Sequence, residues 1–246
     1  MKRTVRTFAD ADSVCRAARE EVLRRGVAAI AEHGRFALAL SGGSTPKILY
    51  ASLAGADLDW SRVHLFFGDE RCVPPDDEQS NYRMAREALI SKIEIPAANV
   101  HRIQAELASV DEAVLHYQAD LRAFFGLKEP SELPRFDLVL LGMGPDGHTA
   151  SLFPGTSALD EDERLVAAPW VAKFGTHRIT LTARVINHSA CVMFLVAGKD
   201  KTETLKAVLE GPPLPRELPS QMIQPTEGEL LWFVDRAAAQ SLTSAH

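Results

Sequence analysis

The sequence predicts a single α/β domain over residues 1–246, a three-layer sandwich with a mainly parallel central sheet flanked by helices. Short apolar runs recur at residues 36–40, 62–67, 136–141, 191–197 and 230–234. Runs of that length without polar alternation mark strands buried on both faces. Stretches with helical spacing and recognisable caps lie between most of them, and strands alternating with helices wind into a parallel sheet. Several runs end in glycine-rich loops, where an open α/β sheet carries its ligands.

Composition narrows the class further. With 246 residues and 46% hydrophobic content the chain can fill one sizeable core. A net charge of −6 argues against nucleic-acid and membrane-surface partners, whose binders carry a basic field. An anionic small molecule is still compatible if positive charge is gathered locally. Cys15, Cys72 and Cys191 form no CxxC pair, which fits a reducing compartment. The first ten residues lack the apolar core of a secretion signal. The longest uncharged run, residues 185–198, falls short of the roughly 18–20 residues of a membrane span and contains Asn187 and His188. A cytoplasmic location is expected, with monomer and homodimer both open.

The elements follow in order. Asp10 or Asp12 caps a helix reaching about Glu32, with Val14, Ala17, Ala18, Glu21, Val22 and Arg25 at amphipathic spacing and Gly34 at its end. The run 36–40 is a buried strand that leads into Ser41-Gly42-Gly43-Ser44-Thr45-Pro46 and a helix to Leu53, with Thr45 as cap and Pro46 as first helical residue. The run 62–67 delivers Asp69, Glu70 and Arg71 in a long charged loop, closed by Ser80-Asn81 as cap of a helix from about Tyr82 to Ser91. A weak strand at 99–103, a helix at 110–125 ended by Gly126, and the strand 136–141 come next. An edge strand at 164–168, an alternating strand at 177–182 and a helical turn at 183–187 lead to the strand 191–197. A helix from Lys201 to Glu210, a proline-rich connection, the strand 230–234 and a short Ala-rich terminal helix complete a Rossmann-like winding.

Four strand ends carry residues suited to chemistry. A glycine turn opening a helix at residues 41–45 exposes N–H groups and a positive helix end, the arrangement that holds a phosphate. It matches neither GxGxxG nor GxxxxGK[ST], so no nucleotide cofactor is indicated. Residues 142–150 combine glycines with Asp146 and His148, the titratable groups of that loop. Lys201 opens a helix where its charge opposes the dipole, which an anion would offset. Arg71 can fork onto a phosphate or carboxylate, with Asp69 or Glu70 orienting it. Cys72 reads as a packing thiol, since no histidine neighbours it in sequence. His33, His64, His101, His116, His177, His188 and His246 show no metal-ligand spacing.

These motifs together resemble the 6-phosphogluconolactonase family. The resemblance rests on residues 41–46, Gly68-Asp69-Glu70-Arg71 with Pro74 and Ser80-Asn81, residues 142–155, and Arg178-Ile179-Thr180-Leu181-Thr182, in the family's order along nearly the whole chain. Related glucosamine-6-phosphate deaminases share the glycine turn and the Gly198-x-x-Lys201 start. One departure is visible: the family's Lys-Pro-Pro segment is replaced by Lys173-Phe174-Gly175-Thr176.

The resemblance implies hydrolysis of the lactone of 6-phosphogluconate in the oxidative pentose phosphate pathway, with no cofactor and no metal. On that reading Ser41, Gly42, Gly43, Ser44, Thr45 and Lys201 anchor the phosphate, and Asp69 and Arg178 also contact substrate. His148 is the base, since histidine's ordinary pKa of about 6.5 leaves an imidazole largely neutral at cytosolic pH. Asp146 either fixes the His148 tautomer or contacts the sugar. Arg71 and Arg178 share, in an order left open, the phosphate and the oxyanion. An amino-sugar phosphate deaminase would need an acidic residue after Asp-Gly-His, and residues 149–155 contain none. A sugar-phosphate sensor would be joined to a basic DNA-binding segment, which the chain does not show.

Overall fold

In the computed structural model, which describes residues 2–243, the fully apolar runs become the middle of a parallel sheet. β2 (Phe36–Leu40), β6 (Leu138–Leu141) and β10 (Cys191–Val196) are buried at every position, so neither face has to meet water. With β1 (Lys2–Phe8), β3 (Val63–Phe67), β5 (Val100–His101) and β11 (Glu229–Asp235) they form a seven-stranded sheet in the order β1-β11-β10-β6-β2-β3-β5. All of its pairings are parallel, in registers such as Leu38 with Leu65 and Phe194 with Trp232. The edges are protected by different means: β5 has two residues, and β1 carries Arg3 and Arg6 among its polar positions.

The helices cover both faces. α1 (Ala11–His33) and α2 (Ser44–Leu53) join strands that step one way along the sheet and pack on each other. α4 (Val110–Phe125) and α6 (Thr202–Glu210) join strands that step back, which right-handed crossovers place on the opposite face. α3 (Asn81–Ala88) packs on α2, and α5 (Ala183–Asn187) is a short turn before β10. The ends follow local chemistry. Asp10 accepts from the Ser13 N–H at 2.8 Å to start α1, and Gly34 (φ 83°) and Gly126 (φ 68°) end α1 and α4 in the left-handed region.

Four expectations change. The cap of α2 is Gly43 (φ 110°) rather than Thr45, so Pro46 falls in the first turn and not at its first position. Residues 69–71 are not a loop: β4 (Asp69–Arg71) pairs antiparallel with β9 (Thr176–Leu181), which also pairs with β7 (Val166–Ala167) and β8 (Trp170–Val171). The Ala-rich end is a turn and not a helix; the Asp235 carboxylate takes the Ala238 N–H at 2.7 Å and also accepts from the Gly198 N–H. β1 pairs along β11 in a segment for which the sequence predicts no element. Met1 and residues 244–246, including His246, lie outside the described residues.

Candidate active site

From β2 the chain winds outward through β3 to β5; from β6, beside it, the chain winds the other way through β10 to β11. The gap beyond the carboxyl ends of β2 and β6 is therefore the topological switch point, where open sheets bind ligands. A cavity of about 300 Å³ lies there. Ser41, Gly42, Gly43, Ser44, Thr45, Asp69, Arg71, His148 and Lys201 all line it, whereas Asp146 and Arg178 do not.

The glycine turn is held rigidly from below. The Tyr50 hydroxyl accepts from the Ser41 N–H and donates to the Ser41 carbonyl, each at 2.8 Å. Burial pushes the Tyr50 phenol far up, so it keeps its proton and both bonds. The first N–H groups of α2 have no partner within the helix and belong to residues on the cavity wall. The Ser41 hydroxyl is buried and lacks a hydrogen-bond partner among the described residues.

A second layer locks this turn to the charged strand. A methyl at Gly42 would come within 2.0 Å of Asn81 Oδ1. Asn81 Nδ2 donates to the Asp69 carbonyl at 2.9 Å and to its carboxylate at 3.2 Å, and the Ser151 hydroxyl donates to Asp69 Oδ2 at 2.6 Å. Asp69 thus ties together β4, α3 and the loop after β6. Neither acidic neighbour orients Arg71, contrary to expectation: its guanidinium donates to the Gln79 carbonyl. Glu70 instead accepts from the N–H groups of Arg71, Asn81 and Tyr82 and from the Ser80 hydroxyl, closing the start of α3.

Arg71 and Arg178 stand directly opposite each other on β4 and β9. Like charges so placed repel. Burial first, then the Arg71 charge, weakens the hold of Arg178 on its proton. Arg178 is 8% exposed, lies against the Phe174 ring at 4.9 Å and is not part of the cavity lining. Burial also pushes the Cys72 thiol up, which suits a packing role.

The loop after β6 folds back on itself. Gly144 N–H donates to the His148 carbonyl at 2.8 Å, and Thr149 Oγ1 donates to the Gly142 carbonyl at 2.8 Å. His148 stacks on Phe153, with ring centroids 4.1 Å apart, and its Nδ1 meets Asp146 Oδ1. Burial raises the Asp146 carboxyl, but the bond to His148 and the charges of His148 and Lys173 outweigh it and leave the carboxyl below its ordinary range. Asp146 is therefore ionised near neutrality and can only accept. In the neutral imidazole this acceptor requires the hydrogen on Nδ1 and leaves the lone pair on Nε2. Ala150, on the cavity wall, holds φ 47°, a left-handed conformation that costs a non-glycine residue about 1–3 kcal/mol.

Lys201 lies at the start of α6, across the cavity, with Nζ 2.9 Å from Asp200 Oδ2. Lys173 is outside the cavity, 3.4 Å from Asp146 Oδ2. Sequence reasoning passed over Tyr50 and Ser151 as supports, treated Asn81 only as part of a cap, and left residues 195–197 out of the wall. Residues 195–197 end the strand beside β6, so sheet order is the signal that finds them. Among the described residues no group of three or more His, Cys, Asp or Glu side chains is placed to hold a metal ion, and no helix is long and apolar enough to cross a membrane.

Comparison with known proteins follows the same lines. A family model described as glucosamine-6-phosphate isomerases/6-phosphogluconolactonase matches residues 9–232. A 6-phosphogluconolactonase of Nostoc sp. is 42% identical over 243 residues, covering 99% of this chain and 100% of its own. The 6-phosphogluconolactonase of Homo sapiens is 38% identical, covering 97% and 93%. The crystal structure of 6-phosphogluconolactonase from Thermotoga maritima is 32% identical with a TM-score of 0.82, covering 95% of this chain and 100% of that one.

Proposed function

The chain belongs to the family of glucosamine-6-phosphate isomerases and 6-phosphogluconolactonases, and from that premise we propose that it hydrolyses 6-phospho-D-glucono-1,5-lactone to 6-phospho-D-gluconate. On this reading residues 1–246 are one sugar-phosphate lactonase domain acting in the oxidative pentose phosphate pathway. The observation that carries the mechanism is His148, paired with Asp146 and itself lining a cavity that the phosphate-type turn also lines.

The phosphate sits against the N–H groups at the start of α2, with Lys201 across from it. Ser41 offers its unpaired hydroxyl to the same ligand. That anchor leaves the lactone carbonyl toward His148. Nε2 takes a proton from water as its oxygen attacks C1, and Arg71 faces the oxyanion that forms. Collapse breaks the bond from C1 to the ring oxygen, which takes the proton back from the imidazolium. The new carboxylic acid then ionises. Asp146 acts through His148, holding its tautomer and stabilising the imidazolium; Arg178 adds positive field from beside Arg71.

His148→Ala tests the base. Lactone hydrolysis above the spontaneous rate should fall by about 10²- to 10⁴-fold. Activity within a few-fold of wild type would remove His148 from that role. Ammonia release from glucosamine 6-phosphate, measured on the same preparation, should be absent.

A further inference from the structure

Two buried side-chain polar atoms lack a partner among the described residues: Ser41 Oγ and Trp232 Nε1. The first lines the catalytic cavity. The second belongs to a residue that lines a separate cavity of about 520 Å³, on the α6 side of the sheet near its β1 edge. An indole N–H is a donor only, so a buried one without an acceptor carries a desolvation cost that a ligand oxygen would relieve.

The walls define that ligand. Trp232 is 1% exposed and lies flat on Phe194 at 3.8 Å, which fixes its ring. Val208, Leu209, Met222 and Leu230 supply apolar surface around it. The charged group of the lining is Arg3, which pairs in register with Leu230 and so stands one diagonal step from Trp232. Arg3 spends one N–H on the Leu209 carbonyl at a long 3.4 Å, and a guanidinium has five. A carboxylate, which only accepts, is the ligand group that complements both donors. A phosphate dianion fits poorly, because the carboxyl end of α6 abuts the cavity through Leu209 and Gly211 and only one cation is present.

We infer that this cavity is a second ligand site, for a small apolar monocarboxylate bound between Trp232 Nε1 and Arg3. The probe is octanoate, followed through the indole N–H signal of Trp232 in a proton–nitrogen correlation spectrum of the whole protein and assigned with Trp232→Phe. Octanoate should move that signal downfield and saturably while leaving the Trp60 and Trp170 indoles in place. Arg3→Gln, an exposed change, should weaken octanoate by about tenfold, the scale of one charge-assisted hydrogen bond, and leave octanol unaffected. An unmoved Trp232 signal overturns the site. Octanol binding as tightly as octanoate, or an Arg3→Gln protein binding octanoate like wild type, overturns the carboxylate assignment.

Discussion

A methyl group at Gly144 would come within 2.0 Å of His148 Nδ1 and 2.8 Å of Asp146 Oδ1. Relief is available, because the imidazole can rotate away, but only by breaking the Asp146 bond that fixes its tautomer. Gly144→Ala should therefore cost activity by about the 10²-fold or more attached to a misplaced base, while Tm stays near wild type. A large fall in Tm with kcat retained would contradict this. The glycines and the histidine of this loop are legible in sequence, because a strand end followed by Gly, Asp and His has few uses. Their partners are not. Nothing around Asn81 says that its amide fills the space a Cβ of Gly42 would need, since the two meet only through the fold.

The same holds among the elements. Strands β2, β6 and β10 and helices α1 and α4 are legible because their apolar runs and caps are local signals. β4 is not, since three charged residues in a row resemble solvated chain until β9, more than a hundred positions later, pairs with them. Glu70 shows the consequence. Burial raises its carboxyl, and the N–H bonds from Asn81, Arg71 and Tyr82 pull it back only in part. In Glu70→Gln one carboxylate oxygen becomes an NH₂ that faces the Tyr82 N–H and the Ser80 hydroxyl, leaving donors opposed in a buried site. Urea denaturation should show a loss of about 1–3 kcal/mol. Unchanged stability would mean that α3 does not depend on this cap.

At the scale of the molecule, winding order turns three separate loops into one crevice. It also half-buries groups that no motif marks. His64 faces His101 at 3.2 Å and Phe124 at 4.5 Å. Burial, then the charges of His101 and Arg35, lower its pKa from 6.5 to about 4. The folded state thus resists a proton that the unfolded chain accepts, so this contribution to stability is full above pH 6.5 and lost as pH falls toward 4. Wild type should lose more Tm than His64→Phe across that interval, and parallel Tm profiles would contradict the assignment.

In the proposed function, the turn after β2 and the start of α6 hold a phosphate for the histidine of the loop after β6. Steady-state hydrolysis of the phosphorylated and unphosphorylated lactones by wild type and Lys201→Ala tests it most directly. Loss of one charge-assisted contact should raise KM for the phosphorylated lactone by about tenfold or more and barely alter the unphosphorylated one. Equal loss on both substrates would contradict a phosphate anchor at Lys201.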